Sequence, residues 1–215
     1  EILIGLVGSE MCIRDRDEST DFLSPLYDFL CEKGCEGWHK DTTENTDEAY
    51  ALIKEADSII FLGHGASDTL YGSPQDGEFT VLINETNIQE LLYGKRCFIL
   101  ACNSYEFCEN YNLTSFIGFG NMPTGIVDVK IAMEADTTFP SLEKEDIDTY
   151  DAALVSLLIR AFNVAWLTDM EKLYSKIRLY ANVEIGECLI NKPCKMFREV
   201  ADLLQDFKND CTYCP

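Results

Sequence analysis

Two apolar runs end on residues capable of chemistry: Ser58-Ile59-Ile60-Phe61-Leu62-Gly63 leads into His64-Gly65, and Cys97-Phe98-Ile99-Leu100-Ala101 leads into Cys102-Asn103-Ser104. Runs without polar alternation predict strands buried on both faces, the situation of a parallel sheet covered by helices. In open α/β sheets the chemistry sits in the crevice beyond the carboxyl ends of the strands. A histidine and a thiol at two such ends can meet there, with the imidazole activating the sulfur as a nucleophile.

The rest of the chain alternates helix and strand around these runs. Thr20 to Lys33 carries a helical stripe of Phe22, Leu23, Leu26, Phe29 and Leu30, with Gly34 where a helix would stop. Thr46 to Ala56 predicts a second helix and Thr86 to Tyr93 a short third, each followed directly by one of the two apolar runs. Gly65 to Glu78, rich in Gly, Ser, Asp and Pro, predicts a loop, and Phe79 to Ile83 a short strand or hairpin arm. Phe116 to Phe119 predicts a third buried strand. After an irregular stretch, Asp146 to Val164, Thr168 to Tyr180 and Lys195 to Phe207 predict helices. A single domain follows, with a mostly parallel sheet flanked by helices.

Composition narrows the function. A chain of 215 residues with 47% hydrophobic content can bury a substantial core. Its formal net charge of −21 opposes binding to a phosphate backbone or an anionic membrane, so neither nucleic acid nor membrane is expected as a partner. No stretch reaches the roughly 20 apolar residues of a spanning helix. Ten cysteines without a complete secretory signal suit a reducing cytosol, and a cytoplasmic location is expected. Cys211-Thr212-Tyr213-Cys214, with Cys188 and Cys194 upstream, offers four thiols to a zinc ion. One Cys-x-x-Cys pair and the wide Cys188 to Cys194 separation argue against it, so no metal and no cofactor are expected. Gly5 and Gly8 complete no dinucleotide fingerprint and no phosphate loop, which weighs against a flavodoxin-like or nucleotide-binding domain.

The segment Leu6-Val7-Gly8-Ser9-Glu10-Met11-Cys12-Ile13-Arg14-Asp15 looks like translated sequencing-adapter read-through. On that reading residues 1–15 are non-native, the natural sequence begins near Arg16, and the domain spans 16–215, as a stand-alone protein or a fragment of a longer one.

Ile60-Phe61-Leu62-Gly63-His64-Gly65-Ala66-Ser67-Asp68, Leu70-Tyr71-Gly72, and Leu91 through Ile99-Leu100-Ala101-Cys102-Asn103-Ser104 resemble the core of the caspase-like clan of cysteine peptidases. The nearest type is the CHAT domain, with His-Gly after one strand and Ala-Cys-Asn-Ser/Thr after the next. The resemblance covers about Asp57 to Gly120, under a third of the chain, and includes Phe116-Ile117-Gly118-Phe119 as the following strand. It implies a caspase-like three-layer sandwich and a cysteine endopeptidase with a His64–Cys102 dyad. It also implies an oxyanion hole formed by the backbone amides of Gly65 and Cys102. Family members generally manage with the dyad, so no orienting carboxylate is assigned, and Asp68 and Asp128 stay open for that role.

The resemblance further implies cleavage after one charged residue. The acidic loops favour arginine or lysine, with Asp68 and Asp128 as substrate-binding candidates and Asp76 and Glu78 nearby. The expected partners are a protein or peptide substrate and a regulatory protein; either that partner or the chain's own cleavage is expected to rearrange the loops around Gly65 to Phe79 and Asn121 to Lys144. The alternative is a catalytically inactive caspase-like module that recruits other proteins. Cys31, Cys35, Cys97 and Cys108 are expected to be inert buried thiols, and His39 a surface residue.

Overall fold

A computed structural model describes residues 10–14, 19–39, 46–75, 78–125, 129–130 and 141–215. Its main sheet has six strands: β1 Glu10–Arg14, β2 Glu36–His39, β3 Ser58–Leu62, β6 Arg96–Leu100, β7 Phe116–Gly118 and β8 Thr212–Cys214. They lie in the order β2-β1-β3-β6-β7-β8, and every neighbouring pair is parallel except β7 with β8. β4 Leu70–Gln75 and β5 Glu78–Ile83 form a separate antiparallel hairpin. The helices are α1 Ser24–Glu32, α2 Thr46–Glu55, α3 Ile88–Leu92, α4 Ser104–Asn110, α5 Lys144–Phe162, α6 Met170–Asn191 and α7 Phe197–Asp210.

Side chains alternate across a strand, so apolar residues at every position fill two cores at once. In β3, Ile59 and Phe61 join one cluster while Ile60 and Leu62 join the other. β6 repeats the division, with Cys97 and Ile99 on one side and Phe98 and Leu100 on the opposite one. The even-numbered face packs against α1, α5, α6 and α7 through Leu26, Leu30, Tyr150, Leu154, Leu173 and Leu204. The odd-numbered face packs against α2, α3, α4 and the hairpin through Ile53, Leu91, Phe107 and Ile83. Helices thus cover both faces, as the uninterrupted apolar runs require.

Several elements depart from the expectation. Glu10–Arg14 lies before the expected domain start at Arg16, yet it forms the strand between β2 and β3 and is buried throughout. Trp38-His39, read as a polar surface stretch, belongs to edge strand β2, with His39 in register with Arg14. Part of the expected 65–78 loop is a strand, because the Leu70 to Gln75 backbone pairs with β5 and Leu70 is wholly buried. α6 continues eleven residues beyond Tyr180 to Asn191 (191 minus 180) and ends where Lys192 turns left-handed at φ 50°. Among the described residues, no single helix is long and apolar enough to cross a membrane.

The terminal Cys-x-x-Cys is divided between two environments. Cys211 is buried beside Phe207, whereas Cys214 lies on β8 opposite Phe116. Cys188 donates to the Phe197 carbonyl at 3.0 Å. No group of three or more His, Cys, Asp or Glu side chains is arranged to hold a metal ion among the described residues.

Candidate active site

β3 and β6 are adjacent and parallel, with Leu62 in register with Leu100. His64 and Cys102 each lie two residues farther on, so matched strand lengths bring them to the same level of the sheet. The pleat gives them the parity of Leu62 and Leu100, whose side chains face α5. The link continues past the last paired residues, where the Gly63 amide donates to the Leu100 carbonyl at 3.0 Å. His64 and Cys102, both partly buried, line one cavity of about 180 Å³. Thr20, Phe22 and Leu23 from the segment before α1, Met122 and Thr124 from the chain after β7, and Leu154 of α5 complete much of its wall.

The turn carrying Cys102 is tied down on three sides. Asn103 takes a left-handed conformation at φ 55°, a region asparagine tolerates better than most residues, and this reverses the chain between β6 and α4. Its amide donates to the Gly120 carbonyl at 3.0 Å, and that of Tyr105 to the Phe119 carbonyl at 3.1 Å. Ser104 is fully buried; its hydroxyl donates to the Ile99 carbonyl at 2.6 Å and accepts from the Phe119 amide at 2.8 Å. A Cβ at Gly118 would stand 2.8 Å from the Tyr105 backbone, so only glycine lets α4 pack this closely on β7. The Cys-Asn-Ser motif is therefore a strand-to-helix turn clamped to the neighbouring strand.

At the sulfur, the Met122 amide donates to Sγ at 3.4 Å, and Sγ lies 3.4 Å from the Met122 carbonyl, which accepts from the thiol. A donated N–H favours the thiolate, whereas the carbonyl accommodates the protonated form. Beneath it, Tyr150 is completely buried; burial first, then nearby charges including Asp151 and Cys102, hold its phenol protonated.

His64 also meets Ser19 and Phe79. Its Nε2 is 3.0 Å from Ser19 Oγ, and its ring lies 4.6 Å from that of Phe79, tilted by 50°. Phe79 comes from β5, so the hairpin supports one face of the imidazole. The loop between them is narrow at Gly65, where a Cβ would meet Ala101 Cβ at 2.9 Å and the Cys102 carbonyl at 3.1 Å. Gly65 and Leu70 form an isolated antiparallel bridge that engages the amides of Ala66 and Tyr71 but not that of Gly65.

Ser19 is the residue that the sequence reading missed. It lies 45 residues before His64, in a polar segment with no periodic signal, and only its approach to Nε2 marks it. Thr20 beside it is anchored from β1: the buried Arg14 guanidinium donates to the Thr20 carbonyl at 3.3 Å and pairs with Asp21 at 3.0 Å.

The charged candidates fall elsewhere. Asp68 is exposed and outside the cavity wall; its carbonyl accepts from the Tyr111 hydroxyl at 2.9 Å, which ties the loop to the end of α4. Asp76 and Asp128 lie outside the described residues. Lys95 and Arg96 sit at the opposite end of β6, where Lys95 Nζ donates to the Lys54 and Ala56 carbonyls. Among the described residues, the wall of the cavity bears no carboxylate and no Lys or Arg.

Cys35, Cys97 and Cys108, expected to be inert, are buried. Burial pushes the thiols of Cys35 and Cys97 up to about 12 and that of Cys108 far up, with neighbouring thiols adding to the effect at Cys35 and Cys108. Cys31 is partly buried rather than buried, with its thiol also raised by desolvation. Comparison with protein-family models, with curated proteins and with solved structures finds no match to this chain.

Proposed function

We propose that the chain is a cysteine endopeptidase of the caspase-like clan, with Cys102 as nucleophile and His64 as its base. The observation that carries the reading is the convergence of the two side chains into one cavity from registered ends of adjacent parallel strands. His64 takes the proton from the Cys102 thiol, and Sγ attacks the carbonyl carbon of the scissile peptide bond. The tetrahedral oxyanion accepts hydrogen bonds from the backbone amides of Gly65 and Cys102, the former not engaged by the Gly65–Leu70 bridge. Collapse breaks the C–N bond as His64 returns the proton to the leaving amine. Water, deprotonated by His64, then hydrolyses the thioester and restores the thiol.

Cleavage after arginine or lysine rests on the net charge of −21, which draws basic segments toward the molecule. Since the described cavity wall is uncharged, the selecting carboxylate belongs to the surrounding loops, where Asp68 and Asp128 are the candidates. The test is covalent labelling of the full chain by a peptidyl acyloxymethyl ketone with arginine or aspartate at the terminal position. Labelling that disappears in Cys102→Ala and falls strongly in His64→Ala is expected. An unlabelled wild-type protein would leave the non-catalytic recruitment module as the better reading, and faster labelling by the aspartate probe would overturn the charge argument.

A further inference from the structure

We propose that the outer face of the β4–β5 hairpin, formed by Phe79 with Tyr71 and Val81, receives an apolar side chain on the substrate residue that follows the scissile bond. This rests on the peptidase reading of His64 and Cys102 and adds a second subsite to it. Tyr71 and Val81 are paired directly across β4 and β5, so their side chains share a face, and the Tyr71 and Phe79 rings lie 5.6 Å apart. Leu70, Leu82 and Ile83 are turned into the protein and buried, whereas Phe79 and Val81 are each 47% exposed. The other exposed large apolar side chains among the described residues, Tyr93, Val164, Leu179, Leu189 and Ile190, lie on or next to α3, α5 and α6. Scattered exposed residues of that kind are ordinary, but an apolar face adjoining a reactive imidazole is a place for a ligand.

The chemistry selects which part of the substrate arrives there. His64 hands its proton to the nitrogen of the departing amine, so the residue carrying that nitrogen passes close to the imidazole. The Phe79 ring centroid is 4.6 Å from that of the imidazole. Successive side chains of an extended peptide point to opposite sides. With the residue before the bond directed into the 180 Å³ cavity, the residue after it points away and needs a surface outside the cavity wall. Phe79, Tyr71 and Val81 lie outside that wall and adjoin it through the His64 ring. They present a phenyl ring, a phenol ring and an isopropyl group, so desolvation favours leucine or phenylalanine there and penalises serine or aspartate.

Two pairs of internally quenched peptides test this on the full chain, one pair with arginine before the bond and one with aspartate. Within a pair only the next residue differs, being leucine or serine. The readout is the ratio of kcat/KM for the leucine peptide to that for the serine peptide, because damage to the dyad slows both alike and leaves the ratio unchanged. A ratio of about tenfold is expected in the wild type, the scale of partly burying one leucine side chain. It should fall to within about twofold in Phe79→Ala and stay above about fivefold in Phe79→Leu, which keeps an apolar surface. If Phe79→Ala does not fold, the exposed Val81→Ser should still lower the ratio by about twofold to threefold. A wild-type ratio near one would overturn the proposal, as would an unchanged ratio in Phe79→Ala. Hydrolysis of neither pair, together with an unlabelled Cys102, would sink the dyad and this subsite with it, whereas ready hydrolysis without discrimination would sink the subsite alone.

Discussion

The two ends of the central sheet hold ionisable groups in opposite circumstances. At the amino end, Glu10 begins β1 with its carboxylate against the Trp166 indole N–H, and Cys97 sits near the start of β6 with no solvent exposure. At the carboxyl end, His64 and Cys102 are partly buried and share a cavity. The amino end is closed by Lys95, whose ammonium bonds the carbonyls that end α2, and by packing of Trp166 beneath β1. Both ends have ionisable side chains, and at the carboxyl end they line a cavity of about 180 Å³. Parallel strands create this asymmetry, because every crossover must leave the sheet at its carboxyl end and the departing loops can diverge there.

The largest expected effect tests that contrast within one strand. Cys97, with its thiol pushed to about 12, holds roughly one thiolate in 10⁵ at pH 7. Mass-spectrometric mapping of iodoacetamide adducts should therefore find Cys102 modified at least about 10³-fold faster than Cys97, since its access to solvent and the proposed imidazole base both favour it. Equal rates would erase the distinction between the two ends. Next, His64→Ala should lower hydrolysis of a fluorogenic arginyl peptide by about 10² to 10⁴-fold, the range of a positioned general base. Urea denaturation should meanwhile show nearly unchanged stability, because the ring is only partly buried.

Ser104→Ala probes how firmly the open end is built. It removes a hydroxyl that bridges Ile99 and Phe119 and leaves the buried Phe119 amide unsatisfied, which should cost about 1–3 kcal/mol in denaturant unfolding. A neutral result would mean that α4 and β7 do not depend on this clamp.

The smallest effect belongs to the closed end. Burial raises the Glu10 carboxyl above its ordinary value of 4.5, outweighing the Trp166 hydrogen bond and Arg96. Below pH 4.5 Glu10 is protonated both folded and unfolded. As pH rises through the elevated folded value, the buried group must ionise and stability is lost. Glu10→Gln should therefore gain on the wild type between pH 4 and pH 7, by less than Ser104→Ala loses. A difference that does not vary with pH would show that Glu10 is not desolvated.

How much was legible in advance depended on whether an element buries both faces. β3, β6 and β7 are apolar at nearly every position, so composition alone predicts them. β2, with Glu36 and His39, and β8, with Thr212, are edge strands held by backbone pairing, which leaves little trace in residue type. β4 was concealed by Gly, Ser and Pro in a hairpin where Leu70 is wholly buried. β1 is apolar at three of its five positions, and its likeness to a sequencing-adapter product argues for leaving it outside the domain, whereas in the sheet it lies between β2 and β3.

By itself, the sequence determined the two buried strands and the histidine and cysteine beyond them, because uninterrupted apolar runs and the polar residues that end them are local properties. Only the tertiary structure decided that those strands are neighbours in register, that Ser19 reaches Nε2, and that Asp68 stands outside the cavity. These relations join positions tens of residues apart through backbone pairing and packing, which no local pattern encodes.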